Sequence, residues 1–217
     1  MHIPDGILPA AVAIGGYGMT GAVTWLSLRQ IDRDKNSQEN IPKASLLTAA
    51  FFAASSIHIP VPPTSVHLVL NGLLGAVLGY YAFPAILVGL FFQAVVFGHG
   101  GLSTLGINAI LMGVPALIAG YVFQVRELLG RKSQMWTGIF GFLAGAIGVG
   151  LAASIFFSLI ITNIPANIDG QAERTAIGTL MLAQIPLMAI EGMFTAMVVL
   201  FLERVKPEMH RSGKIGS

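Results

Sequence analysis

The chain of 217 residues contains no cysteine, so thiolate metal sites, disulfides and dithiol redox chemistry are excluded. Charge is nearly as scarce, at 10% Asp, Glu, Lys and Arg, where a soluble domain carries about a quarter. No G-x-x-x-x-G-K-[ST] stretch is present, so nothing in the chain reads as a phosphate-cradling loop for ATP. H-E-x-x-H is absent too, and no Glu neighbours a His, which removes the usual signature of a zinc hydrolase. The net charge of +2 is too small to point to nucleic acid. What remains is apolar: 54% hydrophobic residues, 26 glycines and a mean hydropathy of +0.77. Those values describe an all-α integral membrane protein whose helices approach closely through small residues.

Seven hydrophobic segments follow along the chain, at about 7–29, 44–58, 65–80, 83–97, 103–124, 135–162 and 176–203. They give one seven-helix transmembrane domain over residues 1–204 and a polar tail over 205–217. The stretch Arg29 to Lys43 reads as an exposed loop. Pro60, Pro62 and Pro63 forbid a helix and impose an extended connection, after which Thr64 or Ser65 is expected to cap the third helix. If the N-terminus is outside, eleven of the twelve Lys and Arg fall on cytoplasmic loops or the tail, and only Arg174 lies outward. N-out, C-in is therefore expected, with multiple crossings. The beginning of the chain has no basic residue before Arg29 and carries Asp5, so it is expected to stay in the mature protein. Bulky His2 is expected to protect Met1 from removal.

The chain beginning Met1-His2 carries the chemistry. A free α-amino group, the His2 backbone nitrogen and the His2 imidazole Nδ1 can close on one cation as adjacent five- and six-membered rings. Three nitrogens then lie in a plane with room for a fourth, a geometry that suits Ni(II) or Cu(II), with cobalt a neighbour. Four of the five histidines fall on the outward side of the expected topology, and only His210 lies inside. His67, placed on the first turn of the third helix, is the best candidate for the fourth donor, with Asn71 one turn on to orient its ring or the backbone of the inserted terminus. His58, Ser65 and His99 are candidates for supporting or gating roles, His99 being held among Gly98, Gly100 and Gly101.

Three stretches resemble the CbiM/NikM family, the substrate-binding S components of energy-coupling-factor transporters for cobalt and nickel. They are Met1-His2-Ile3-Pro4-Asp5-Gly6, His58-x-Pro-x-Pro-Pro-Thr-Ser-x-His67-Leu-x-Leu-Asn71-Gly72-Leu-Leu-Gly75, and Gly98-His99-Gly100-Gly101-Leu102. The resemblance implies an N-terminal peptide inserted into the bundle and an ion, Ni2+ or Co2+, bound by Met1 N, His2 N, His2 Nδ1 and His67 Nδ1. It also implies partners: a transmembrane coupling subunit (CbiQ/NikQ-like), a cytoplasmic ATPase (CbiO/NikO-like) and a small accessory membrane subunit. Ala49-x-x-x-Ala53 and Ala50-x-x-x-Ala54 are similar to the seam by which such components meet the coupling subunit, and equally fit an internal packing seam.

Glu191 is the one acid deep in an expected span, which makes it a candidate for a transport role or, with Gln184 and Thr195 nearby, for a structural one. Met181, Met188, Met193 and Met197 read as core fillers of the seventh helix. Two competing classes are an intramembrane metal-dependent hydrolase and a stand-alone metal channel or carrier. The first lacks its zinc motif, and the second lacks internal repeats or rows of pore charges.

Overall fold

The computed structural model describes residues 2–55, 58–61, 64–130, 133–163 and 178–205, with the segments 58–61 and 64–66 described in backbone only. The chain folds as α1 (Ala10–Ile31), α2 (Ser37–Ser55), a hairpin of β1 (His58–Val61) and β2 (Thr64–His67), α3 (Asn71–Leu78), a 3-10 turn (Gly79–Tyr81), α4 (Ala82–Phe97), α5 (Leu105–Leu128), α6 (Gln134–Thr162) and α7 (Gln184–Val205). Among the described residues, five stretches are long and apolar enough to cross a bilayer: Ala10–Ile31, Asn71–Phe97, Leu105–Leu128, Gln134–Thr162 and Gly178–Val205. Large apolar side chains such as Trp25, Leu26, Phe91, Phe92 and Phe201 cover the outside, where only lipid accommodates them. Met193 and Met197 join them, so these methionines face outward and do not fill the core.

Two sequence expectations need correction. The stretch 29–43 is not all loop, because α2 already begins at Ser37. Asp34 starts it: its Oδ1 accepts from Asn36 N at 3.0 Å and its Oδ2 from Asn40 Nδ2 at 2.8 Å, while Glu39 favours the positive helix end. Tyr81 O–H also donates to Asp34 Oδ2 at 2.9 Å, tying the α1–α2 turn to the turn between α3 and α4.

The third segment is likewise not one helix from residue 65 to 80. Its first part is β2, paired antiparallel with β1 so that the backbones of His58 and His67 face each other. The β-branched Thr64 and Val66 beside the prolines favour extended chain over helix. α3 starts only at Asn71, and its N-cap is Leu70, not Thr64 or Ser65. Leu70 has φ 52°, the one left-handed non-glycine backbone among the described residues.

With eight residues α3 is about 12 Å long, well short of a bilayer core of about 30 Å. It is a half-helix embedded in the bundle. Such an element works only if neighbours come very close: a β-carbon at Gly75 would overlap the Ala116 carbonyl on α5, and one at Gly72 would lie 2.5 Å from the Ala144 carbonyl on α6. Without a hydrophobic drive between helices in lipid, close backbone contact of this kind supplies the packing.

The buried N–H groups ahead of α3 are satisfied from α7. Glu191, fully buried, accepts from Val69 N and, at 3.1 Å to each oxygen, from Leu70 N. Its partners are thus backbone nitrogens next to β2, not the Gln184 and Thr195 expected from the sequence. Asn71 is fully buried and also turns inward, donating to Gly148 O at 2.9 Å and to Met112 O at 3.4 Å and accepting from Gly72 N at 2.8 Å.

Candidate metal site

The N-terminal segment 2–9 enters the bundle between α1 and the loop joining α4 to α5. Ile3 is fully buried and Leu8 nearly so, which anchors the segment by its apolar side chains. The first turn of α5 reads the Ile3 peptide from both sides. Asn108 Oδ1 accepts from Ile3 N at 2.9 Å, and Asn108 Nδ2 and Thr104 Oγ1 donate to Ile3 O at 3.0 and 2.7 Å. Asp5 Oδ1 then accepts from Ser103 Oγ at 2.5 Å and from Thr104 N at 3.3 Å. The Ser103 hydroxyl, aided by Thr104, holds the exposed Asp5 carboxyl below the usual aspartate range. The glycines of the α4–α5 loop make room. Gly98 caps α4 in left-handed conformation, Gly100 has φ 80°, and a β-carbon at Gly101 would overlap the Asp5 carboxylate.

This clamp carries the residue before Ile3 into a cluster of imidazoles. The His2 ring lies 5.4 Å, centre to centre, from that of His67 and 6.2 Å from that of His99, stacked at 27° and 29°. At the first of these separations the two imidazoles lie face to face, within reach of one another. His2 Nε2 is 2.8 Å from Oε1 of Gln93 on α4, and Gln93 Nε2 donates to Ser55 Oγ at 2.5 Å. Burial, with the His67 imidazole adding to it, holds the His2 ring well below the usual histidine range. The ring is therefore neutral near pH 7, the form that ligates a metal.

His67 sits at the end of β2 and not on a helical turn, because α3 begins four residues later. Its Nδ1 is 3.2 Å from the Leu68 carbonyl, so ligation through Nδ1 requires the ring to leave that contact. The Asn71 amide is engaged inside the bundle, with Gly148 O, Met112 O and Gly72 N. His99 is in the cluster, also 6.0 Å from the Phe97 ring. Met1 and the side chains of His58 and Ser65 lie outside the described residues. Ala49, Ala50 and Ala53 are exposed along α2, and Ala54 is half-buried.

Gln93, Ser55, Asn108 and Thr104 were not singled out from the sequence. The signal was present for two of them: Gln93 is the one polar side chain in α4, and Asn108 interrupts the apolar start of α5. Among the described residues no three His, Cys, Asp or Glu side chains converge as a metal-holding group.

Known proteins share this architecture. A solved transition metal transporter superposes with a TM-score of 0.76 over 97% of both chains at 22% identity, and a truncated transition metal transporter with a TM-score of 0.73. A putative metal transport protein of Haemophilus influenzae is 32% identical over 96% of both chains. A putative cobalt transport protein CbiM of Methanococcus voltae is 32% identical over 96% of this chain and 94% of its own. The fused nickel transport protein NikMN of Rhodobacter capsulatus is 29% identical over 96% of this chain and 63% of its own. Residues 2–209 match the model of the cobalt uptake substrate-specific transmembrane region, so the chain, with its inserted N-terminal segment and imidazole cluster, belongs to the CbiM family.

Proposed function

We propose that the chain is the nickel- and cobalt-binding S component of an energy-coupling-factor importer. It takes the divalent ion from outside the cell, strips its water in a planar all-nitrogen site and releases it inward. The observation that carries this reading is the meeting of His2 and His67 at 5.4 Å, made by a clamped chain beginning and a hairpin 65 residues away. The donors are the Met1 amine, the His2 backbone nitrogen, His2 Nδ1 and one nitrogen of His67. Losing the backbone proton demands a strongly acidifying ion, which Mg²⁺ or Ca²⁺ is not, and four planar nitrogens favour nickel over cobalt. Relatives named for cobalt and for nickel transport fit a site open to both.

Seven crossings are counted by including α2 and by taking β2 with α3 as one crossing, since α3 alone is too short, and α4 as the return. The N-terminus is then outside and the C-terminus inside a prokaryotic inner membrane, where the basic ends of the helices meet the cytoplasm. Energy comes from partners: a CbiQ/NikQ-like coupling subunit, docked on α2 where Ala49, Ala50 and Ala53 are exposed beside the half-buried Ala54, and a CbiO/NikO-like ATPase, with a small accessory membrane subunit. A solvent-open alanine face fits docking better than internal packing.

Titration of the purified, untagged-N-terminus protein with Ni(II) and Co(II) tests the reading. Tight one-to-one binding is expected, abolished by His2→Ala, by His67→Ala and by an N-terminal tag, and unchanged by His210→Ala. Wild-type affinity in the tagged protein contradicts it.

A further inference from the structure

We infer that Gln93 and Ser55 are positioning residues that fix the tautomer of the His2 ring, leaving Nδ1 as its lone-pair nitrogen. Both side chains are fully buried, Ser55 at the last position of α2 and Gln93 near the end of α4. The Ser55 hydroxyl has one proton and donates it to Phe52 O at 2.9 Å. Toward Gln93 its oxygen therefore accepts, and Gln93 Nε2 donates to it at 2.5 Å. That sets the amide's orientation, and the atom turned toward His2 is Oε1, which can only accept. His2 Nε2, 2.8 Å away, must carry the ring proton. A neutral imidazole has one such proton, so Nδ1 is bare.

Nδ1 is the nitrogen that closes a six-membered ring with the His2 backbone nitrogen. The opposite tautomer would turn an N–H toward the ion, and a ring free to rotate would have to be ordered on binding. Ligating histidines are commonly held through their other nitrogen in this manner. Here the holder is a neutral amide whose own orientation is fixed from a second helix, so no charge is added beside the ion. The inference rests on the reading in which His2 holds the metal, yet the tautomer is a property of the metal-free protein.

The test is nitrogen NMR of metal-free protein labelled with ¹⁵N-histidine, the His2 signals being identified by their loss in His2→Ala. Wild type is expected to show the Nε2–H tautomer alone; a ring protonated at Nδ1 overturns the inference without recourse to any Gln93 variant. Two such variants then separate positioning from packing. Gln93→Leu keeps the bulk and removes the acceptor, whereas Gln93→Glu keeps an acceptor. Loss of the single tautomer and a ten- to hundredfold fall in Ni(II) affinity are expected for Gln93→Leu. Gln93→Glu is expected to retain both. A packing role demands the reverse order, because leucine suits a buried apolar helix and a carboxylate does not, and that order overturns the inference. If the tautomer holds but His2→Ala binds nickel as wild type does, the metal reading fails and the relay stands.

Discussion

Asn108 holds the Ile3 peptide by its N–H and its C=O together, with Thr104 sharing the carbonyl. Replacing it by leucine strands the buried Ile3 N–H, at about 1–3 kcal/mol, and leaves the Ile3 carbonyl to Thr104 alone. Asn108→Leu is therefore expected to release the N-terminal segment and to weaken nickel binding by at least about tenfold, each 1.4 kcal/mol being a factor of ten. Calorimetric titration reads the affinity, and an unchanged value would mean that the segment is held by Ile3 burial alone. Asp5 adds a pH dependence of known sign. Its folded pKa is depressed, so its contribution is complete above the unfolded value of about 3.9 and is lost as pH falls through the lower folded value. The protection of amides 2–9, taken relative to the intrinsic exchange rate at each pH, is expected to be flat above about pH 5 and to fall below it, a dependence that Asp5→Ala abolishes. At this scale the sequence was legible where a residue type announces its chemistry, as His2 and His67 do. For Gln93 and Asn108 it carried half of the signal, because a lone amide in an apolar helix shows that it needs a partner but not which one.

The element that matters most is the β2–α3 junction, where a strand ends in a metal-ligand candidate and a half-helix begins. Glu191 of α7 supplies the acceptors for Val69 and Leu70, two and three residues beyond His67. Glu191→Gln keeps an acceptor oxygen and is expected to lower thermal stability little. Glu191→Leu leaves buried N–H groups without partners, at about 1–3 kcal/mol each, and is expected to lower the melting temperature by several degrees and to displace His67. Equal melting temperatures for the two would show that the carboxylate does not hold this junction. Helix positions α4 to α6 were readable to within a few residues, because long apolar runs bounded by glycines and charges leave little choice, whereas α7 starts at Gln184 and not near 176. The third segment was misread for a physical reason. Apolar periodicity in the stretch 65–70 fits helix or strand alike, and pairing with the proline-stiffened β1 decides for strand. A helix beginning at Asn71 also carries no side-chain cap of its own for a reader to find, since its acceptor arrives from residue 191.

Across the whole molecule the imidazoles gather at one end and the Asp34–Tyr81 tie lies at the other, with Arg29, Arg33 and Lys43 close to it in the chain. Absence of native cysteine makes the orientation simple to measure. A membrane-impermeant thiol reagent is expected to label Leu102→Cys in intact cells and Leu129→Cys only after lysis, both side chains being exposed. The reverse pattern would turn the importer around and remove the outward site. The central claim, that the chain's own beginning and His67 close on one transition-metal ion, is tested most directly by anomalous diffraction at the nickel edge from crystals of the nickel-loaded protein. The expected result is a single peak at about 2 Å from His2 Nδ1 and from a ring nitrogen of His67. A peak elsewhere in the bundle, or none in protein that retains stoichiometric nickel through purification, would contradict it.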